Sequence, residues 1–245
     1  MKQKLFLDAA ADVIDANNYR LVEKKRAKVS VTKFRVDDDN EKKVKRLKGD
    51  YYTISYDNKV LVEHSDRVIR ELIKVLNGFF KNYNKSGKTL VIGLGNSSIL
   101  ADALGPITAN KIIATNQYDD FLTIPKIALF VPDVIGKTGI SSFNLIKMVV
   151  NDLKPDTIII IDSLVTSNKI RLNFTIEVSD AGIIPGSALK NNKEINMSTF
   201  NIPVIAIGIP LLLEIDEELY VAPDVKSIIE ASSDVISKAI NKTLL

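Results

Sequence analysis

The sequence predicts an α/β fold in three layers, a mostly parallel sheet flanked by helices, with an N-terminal β extension. Three observations carry that reading. Strand-like and helix-like stretches alternate from Thr89 onward, the order that builds parallel sheets with crossover helices. Within Thr89–Ile92 and Thr157–Ile161 the runs Leu90–Ile92 and Ile158–Ile161 are wholly apolar, as strands covered on both faces are. Val29–Val36 instead alternates apolar and polar residues, the period of a half-buried strand.

Taken in order, Leu5 to Ala16 reads as a short amphipathic helix, and Glu23-Lys-Lys-Arg26 as a solvated face. Val29–Val36 and Asp50–Tyr56 are a strand and its return. Asp37-Asp-Asp-Asn40 between them lacks the glycine and terminal glutamate of a calcium loop, so it reads as a hairpin tip. The basic run from Lys42 to Lys48 reads as another solvated face. Val68, Ile69, Leu72, Ile73, Leu76 and Phe80 recur at helical spacing. The centre then alternates: strand Thr89–Ile92, helix Asp102 to Ala114, strand Ile127–Val131, helix Ser141–Leu153, strand Thr157–Ile161. Phe174–Val178 and Val204–Ile209 add strands. A last helix starts near Asp224, whose side chain can cap it. With no internal repeat or interdomain linker, residues 1–245 form one domain.

Composition narrows the chemistry. The chain has 245 residues, 46% of them hydrophobic, and no stretch apolar and long enough to span a bilayer. It has no cysteine and one histidine, His64, in a polar stretch away from the glycine-rich loops. A thiol nucleophile, a Cys-based metal site and a Ser-His-Asp triad are thereby excluded or improbable, and no metal or cofactor is expected. The absence of cysteine fits a reducing cytoplasm. A net charge of +3 gives no argument for nucleic acid as partner.

Two acidic residues stand out. Strand Thr89–Ile92 runs into Gly93-Leu-Gly95-Asn96 and then Asp102-Ala-Leu-Gly-Pro106, with Pro106 suited to a first helical turn. Asp102 there fits a site carboxylate beside a strand end, and equally a helix N-cap. Thr157–Ile161 ends in Asp162, which in turn fits a cap for the following turn. In a parallel sheet both strand ends face one edge, so the two carboxylates can converge and share a proton. That is the arrangement for activating water with one group and protonating a carbonyl or amine with the other. Pro132-Asp-Val-Ile-Gly136-Lys-Thr138-Gly139 should reach the same edge, as should Gly95 and Asn96, offering backbone N–H groups to an oxyanion. Gly136-Lys-Thr138 copies the end of a phosphate loop, but Val131 stands where the upstream glycine belongs. Ser179-Asp180-Ala-Gly-Ile-Ile-Pro-Gly-Ser187 is a long turn-rich loop of the kind that carries function, or a plain surface connection.

These strings resemble the germination protease family of spore-forming bacteria. The resemblance runs through Gly49-Asp-Tyr, Gly93-Leu-Gly-Asn96, Asp102-Ala-Leu-Gly-Pro106, Gly136-x-Thr138-Gly139-Ile140, Lys154-Pro-Asp156, Arg171-x-Asn173-x-Thr175-Ile176, Ser179-Asp180-x-Gly182 and Ile202-Pro-Val-Ile-Ala-Ile-Gly-x-Pro210. It implies an atypical aspartic endopeptidase with a phosphorylase/hydrolase-like fold, related to hydrogenase-maturation peptidases. Its implied substrates are the small acid-soluble spore proteins, degraded in the spore core, and a homo-oligomer is a further expectation. The family's catalytic aspartates fall on Asp102 and Asp162. Substrate contacts are expected from Gly95, Asn96, Gly136, Thr138, Gly139 and Asp180. The chain departs from the family pattern at Ser163-Leu-Val-Thr-Ser167, around Ala114–Tyr118, and in a short segment between Pro210 and Tyr220. Only Met1 to Phe6 precede the start of the resemblance, so activity without a propeptide step is expected. The departures leave open a peptide-binding homologue with impaired turnover; a metal-guided maturation peptidase, like the structural relatives, is a third reading, against which the shortage of histidine argues.

Overall fold

A computed structural model describes residues 12, 22–26, 28–44, 46–57, 61, 65–81, 83, 87–118, 123–184 and 193–245. His64 and most of the Leu5–Ala16 helix expected from the sequence lie outside the described residues.

Among the described residues nine strands form one sheet: β1 (Val22–Arg26), β2 (Val29–Val36), β3 (Gly49–Tyr56), β4 (Thr89–Gly93), β5 (Ile127–Phe130), β6 (Thr157–Thr166), β7 (Thr175–Ser179), β8 (Val204–Ile215) and β9 (Glu218–Val221). Their order is β1-β2-β3-β7-β8-β6-β4-β5, with β9 hydrogen-bonded to β8. Strands β8, β6, β4 and β5 pair in parallel and carry the crossover helices. The N-terminal extension β1–β3 joins through β7 in antiparallel pairing. The antiparallel part is larger than the sequence suggested, because β7 reverses direction between β8 and the extension. Glu23–Arg26, read as a solvated face, belongs to β1, which pairs with β2 and ends the strand order among the described residues. The Asp37 carboxylate accepts the N–H groups of Asp39 and Asn40, closing the turn after β2 on itself.

Two apolar layers cover the sheet. On one face pack α1 (Ser65–Phe80), α2 (Leu104–Ala109) and the C-terminal helix, with Ile159 and Ile161 of β6 beneath them. On the other face, Ile158 and Ile160 pack with residues Ile146 and Val150 of the helix between β5 and β6. Four consecutive isoleucines would serve either face, so they alone do not distinguish a one-residue slip of β6. Asp162 and the glycine contacts described below break that degeneracy. Between β5 and β6 run α3 (Ile135–Thr138) and α4 (Ser142–Leu153), and Ser141 caps α4 by accepting the Asn144 N–H. The short α5 (Met197–Phe200) precedes β8, and α6 (Val225–Leu244) closes the chain. Asp224 precedes α6 without a side-chain cap; its carbonyl instead accepts from Ser227 Oγ.

Two elements differ in length from their sequence reading. The helix expected over Asp102–Ala114 covers only Leu104–Ala109, preceded by a 3-10 turn at Leu100–Asp102. After Ala109 the chain docks on α6, where Lys111 Nζ meets Ser233 Oγ at 2.7 Å and Asn241 Oδ1 accepts the Ile113 N–H at 3.0 Å. Those long-range bonds replace the helical ones. Strand β6 runs past Ile161 to Thr166, because Ser163–Thr166 keep pairing with β8 across a bulge at Leu164/Val165.

At the far end of β6, the buried Asp12 carboxylate accepts Thr166 Oγ1 at 2.7 Å and the Ser167 N–H at 2.7 Å, with Arg171 Nε at 3.5 Å. Truncating such a buried acceptor leaves its donors without their partner. Asp12→Ala is therefore expected to cost about 3 kcal/mol, read as a lower midpoint in urea unfolding with an unchanged slope.

Candidate active site

The chain leaves β4 through α2 on one face of the sheet and reaches β5. It then returns through α4 on the other face to β6, on the opposite side of β4. The gap between the C-terminal ends of β4 and β6 is thus a topological switch point, where open α/β sheets bind ligands. Asp102 follows β4. Asp162 stands on β6 one residue beyond the last β4–β6 pair, Gly93 with Ile161. Both aspartates therefore occupy the same edge of the sheet, at its switch point. Asp162 is inside a strand rather than at a strand end, and its Oδ1 accepts the Ser163 N–H at 2.8 Å.

Glycines fix the Asp102 turn. Gly95 has φ +116°, which side chains rarely adopt, and a Cβ there would lie 1.9 Å from the Asp102 carbonyl oxygen. At Gly105 a Cβ would meet the Leu94 oxygen at 2.2 Å and the Ile161 oxygen at 2.5 Å. The helix backbone thus lies directly on the strand ends, where Leu94 N–H also donates to the Ile161 carbonyl at 2.8 Å. The 3-10 turn packs against β6, β8 and α6.

Asp102 is not the N-cap of α2. That position is Ala103, without a side-chain cap, and Asp102 Oδ2 instead accepts the Asn96 N–H at 2.8 Å. Burial pushes its pKa up from 3.8; the Asn96 N–H opposes the rise and the Asp133 carboxylate adds to it. Asp102 therefore keeps its proton to higher pH than an exposed carboxyl would.

The loop after β5 reaches the same place. Lys137 Nζ lies 3.1 Å from Ser97 Oγ and 2.7 Å from Asp133 Oδ2. The Asp133 pKa is lowered, chiefly by that Lys137 contact. The N–H groups of Thr138 and Gly139 donate to the Val134 and Ile135 carbonyls, at 3.1 and 2.8 Å. Thr138 Oγ1 also bonds the Ile140 carbonyl at 2.9 Å, and Gly139 ends α3 at φ 71°. This loop spends those donors on its own turn, as Asn96 spends its N–H on Asp102; Gly136 sits exposed in α3. Exposed Ile99 and Leu100 on one loop and Ile135 and Ile140 on the other give the two loops apolar surface.

Asp180 is not brought to this edge. Because β7 is antiparallel to β8, Ser179 pairs with Ala206, which pairs with Ile160. Asp180 continues away from the Asp162 level toward the opposite edge. There its Oδ1 accepts the Asp50 N–H at 2.7 Å, tying the extension to β7. Its pKa is raised by burial first, with the Asp50 charge adding. The residue of β7 level with Asp162 is Glu177, through Gly208 of β8. Leu164 fills the space above Gly208. Sequence reasoning missed Asp133 and Lys137 as a pair. They stood in a loop already singled out for its backbone and for its likeness to the end of a phosphate loop.

The germination protease sequence profile matches residues 7–217. The chain belongs to the germination protease family. It is 36% identical over 198 residues to the germination protease of Oceanobacillus iheyensis, covering 76% of this chain and 54% of that one. With the germination protease of Clostridium tetani it shares 33% over 204 residues, covering 79% and 63%. With that of Priestia megaterium it shares 35% over 209 residues, covering 78% and 55%. The chain thus spans roughly half to under two thirds of the length of these family members. Among solved structures, the NiFe hydrogenase maturation protease HycI from Thermococcus kodakarensis KOD1 is similar at 15% identity and a TM-score of 0.44, over 68% of this chain and 98% of that one. Among the described residues no helix is long and apolar enough to cross a membrane.

Proposed function

We propose that this chain is an endopeptidase that degrades small acid-soluble spore proteins in the spore core during germination, by a two-aspartate mechanism without metal. The observation that carries the reading is the placement of Asp102 and Asp162 on one edge of the sheet at its switch point, with Asp102 biased toward its protonated form. Asp162 takes a proton from a water molecule, whose oxygen attacks the peptide carbonyl carbon. Asp102 gives its proton to the carbonyl oxygen. On collapse the C–N bond breaks, the amine leaves with a proton from Asp162, and Asp102 recovers its own. The N–H groups of Asn96, Thr138 and Gly139 already serve their own turns, so in this reading the carbonyl oxygen is stabilised chiefly by the Asp102 proton. The apolar surface at Ile99, Leu100, Ile135 and Ile140 suits the side chains of an extended peptide.

Purified chain incubated with a small acid-soluble spore protein is expected to yield discrete fragments, unchanged in rate by a strong chelator. Activity lost to the chelator and restored by a divalent metal would overturn the metal-free mechanism. Binding without cleavage would favour a peptide-binding homologue with impaired turnover.

A further inference from the structure

We propose that the Asp133–Lys137 ion pair is a positioning device for Asp102, clipping the loop after β5 onto the turn that orients the Asp102 carboxyl. The inference rests on the acid–base reading of Asp102. A chain of contacts carries it. Asp102 accepts from the Asn96 N–H at 2.8 Å, and the next residue, Ser97, meets Lys137 Nζ at 3.1 Å. Lys137 in turn binds Asp133 Oδ2 at 2.7 Å.

Asp133 is held from several sides. It sits at φ 59°, a conformation that non-glycine residues seldom take and that clusters at functional sites. Its Oδ1 accepts the Val134 N–H at 2.9 Å, and its carbonyl accepts Ser142 Oγ at 2.8 Å from the first turn of α4. The ion pair is partly open to solvent, with Lys137 38% and Asp133 25% exposed. A pair this exposed adds little to folding stability. Its position accounts for it better than its strength does: it joins the two loops that meet at the switch point.

The pair also sets the charge that Asp102 feels. The ionised Asp133 raises Asp102's affinity for its proton, and Lys137 in turn holds Asp133 in its ionised form. From β6 the ionisable group at this edge is Asp162. The 3-10 turn meets the other face through Ala101, which joins the apolar cluster containing Ile236 and Ile240 of α6.

The test follows the 13C carboxyl resonance of Asp102 as a function of pH, assigned by its loss in Asp102→Asn, beside the pH profile of cleavage. Lys137→Gln leaves Asp133 uncompensated and should move the Asp102 titration upward by roughly half a unit to one unit. Asp133→Asn removes the anion, leaves Lys137 behind, and should move it downward. Asp133→Gly should titrate like Asp133→Asn while relieving the backbone, which separates charge from strain. Lys137→Arg should restore the parent titration. A pair that only braced its own loop predicts that Lys137→Gln and Asp133→Asn lower stability alike and leave the titration in place, and that result would overturn the proposal. The resonance reads Asp102 whether or not the chain turns over. Opposite shifts in a chain that cleaves nothing would therefore sink the peptidase reading and leave the positioning role standing.

Discussion

Asp102→Asn and Asp162→Asn are each expected to cut cleavage of a spore-protein substrate by ~10²–10⁴-fold, the usual worth of one acid–base group. Asn keeps the shape of the side chain and can still accept the Asn96 N–H, but it can neither hold nor release the proton. The double variant should be little worse than either single one, because groups that act as one unit are not additive. Measured kcat/KM values for the three variants check this. Two single losses that multiply in the double variant would mean that the two carboxyls do not share one step.

The same substitution carries a stability signature with a definite sign. The folded-state pKa of Asp102 lies above the ordinary 3.8. The folded protein therefore binds this proton more tightly than the unfolded chain does. The resulting stability is fully present below 3.8 and is lost as pH rises through the raised value. Asn has no such dependence. Asp102→Asn should accordingly gain stability relative to the parent as pH rises across that window, and the gap should close on acidification. Urea unfolding at a series of pH values reads it. An inactive variant that is also relatively more stable at neutral pH would separate a site carboxyl from a structural one.

What the sequence made legible follows from how local each feature is. The parallel half of the sheet was readable because its strands are apolar runs divided by helical spacing. The placement of the two aspartates on one edge of the sheet was readable because each follows such a run. Asp180 was misplaced because a strand's direction depends on its neighbours; nothing within Thr175–Ser179 states that β7 runs against β8. The end of β6 was misjudged at Asp162 for a similar reason. A carboxylate after four isoleucines looks like a terminus until the partner strand β8 is known to continue to Ile215. Of the expected oxyanion donors, the N–H groups of Asn96, Thr138 and Gly139 are engaged locally, since a Gly-Lys-Thr-Gly loop can offer its N–H groups outward or close on itself, and here Thr138 closes it. The contact of Lys137 with Ser97 joins residues forty apart. No periodicity reports such a pair.

Gly105→Ala is expected to damage stability and activity together, and the reason lies in what surrounds the missing side chain. A Cβ at Gly105 would stand 2.2 Å from the Leu94 oxygen, 2.5 Å from the Ile161 oxygen and 2.6 Å from the Leu94 nitrogen. All three are backbone atoms of the strand ends, so none can turn aside as a flexible side chain would. Relief requires the α2 backbone to retreat by about 1 Å, a form of overpacking that typically costs ~1–3 kcal/mol. The retreat carries Asp102 with it, three residues earlier on the same turn, away from the edge it shares with Asp162. A misplacement of ~1 Å can cost ~10²-fold in rate, so kcat/KM should fall by about that factor even under conditions where the variant remains folded. Gly78 supplies the control. It lies in the last turn of α1 with nothing within 4 Å of an added Cβ. Gly78→Ala should therefore stabilise the chain, by up to ~1 kcal/mol, through helix propensity, and leave cleavage alone. Opposite signs for the two glycines in urea unfolding, with kcat/KM reduced in Gly105→Ala alone, would show that the contact of α2 with the strand ends holds the acid in place. A Gly105→Ala chain as stable and as active as Gly78→Ala would show that the Asp102 turn keeps its position without that contact.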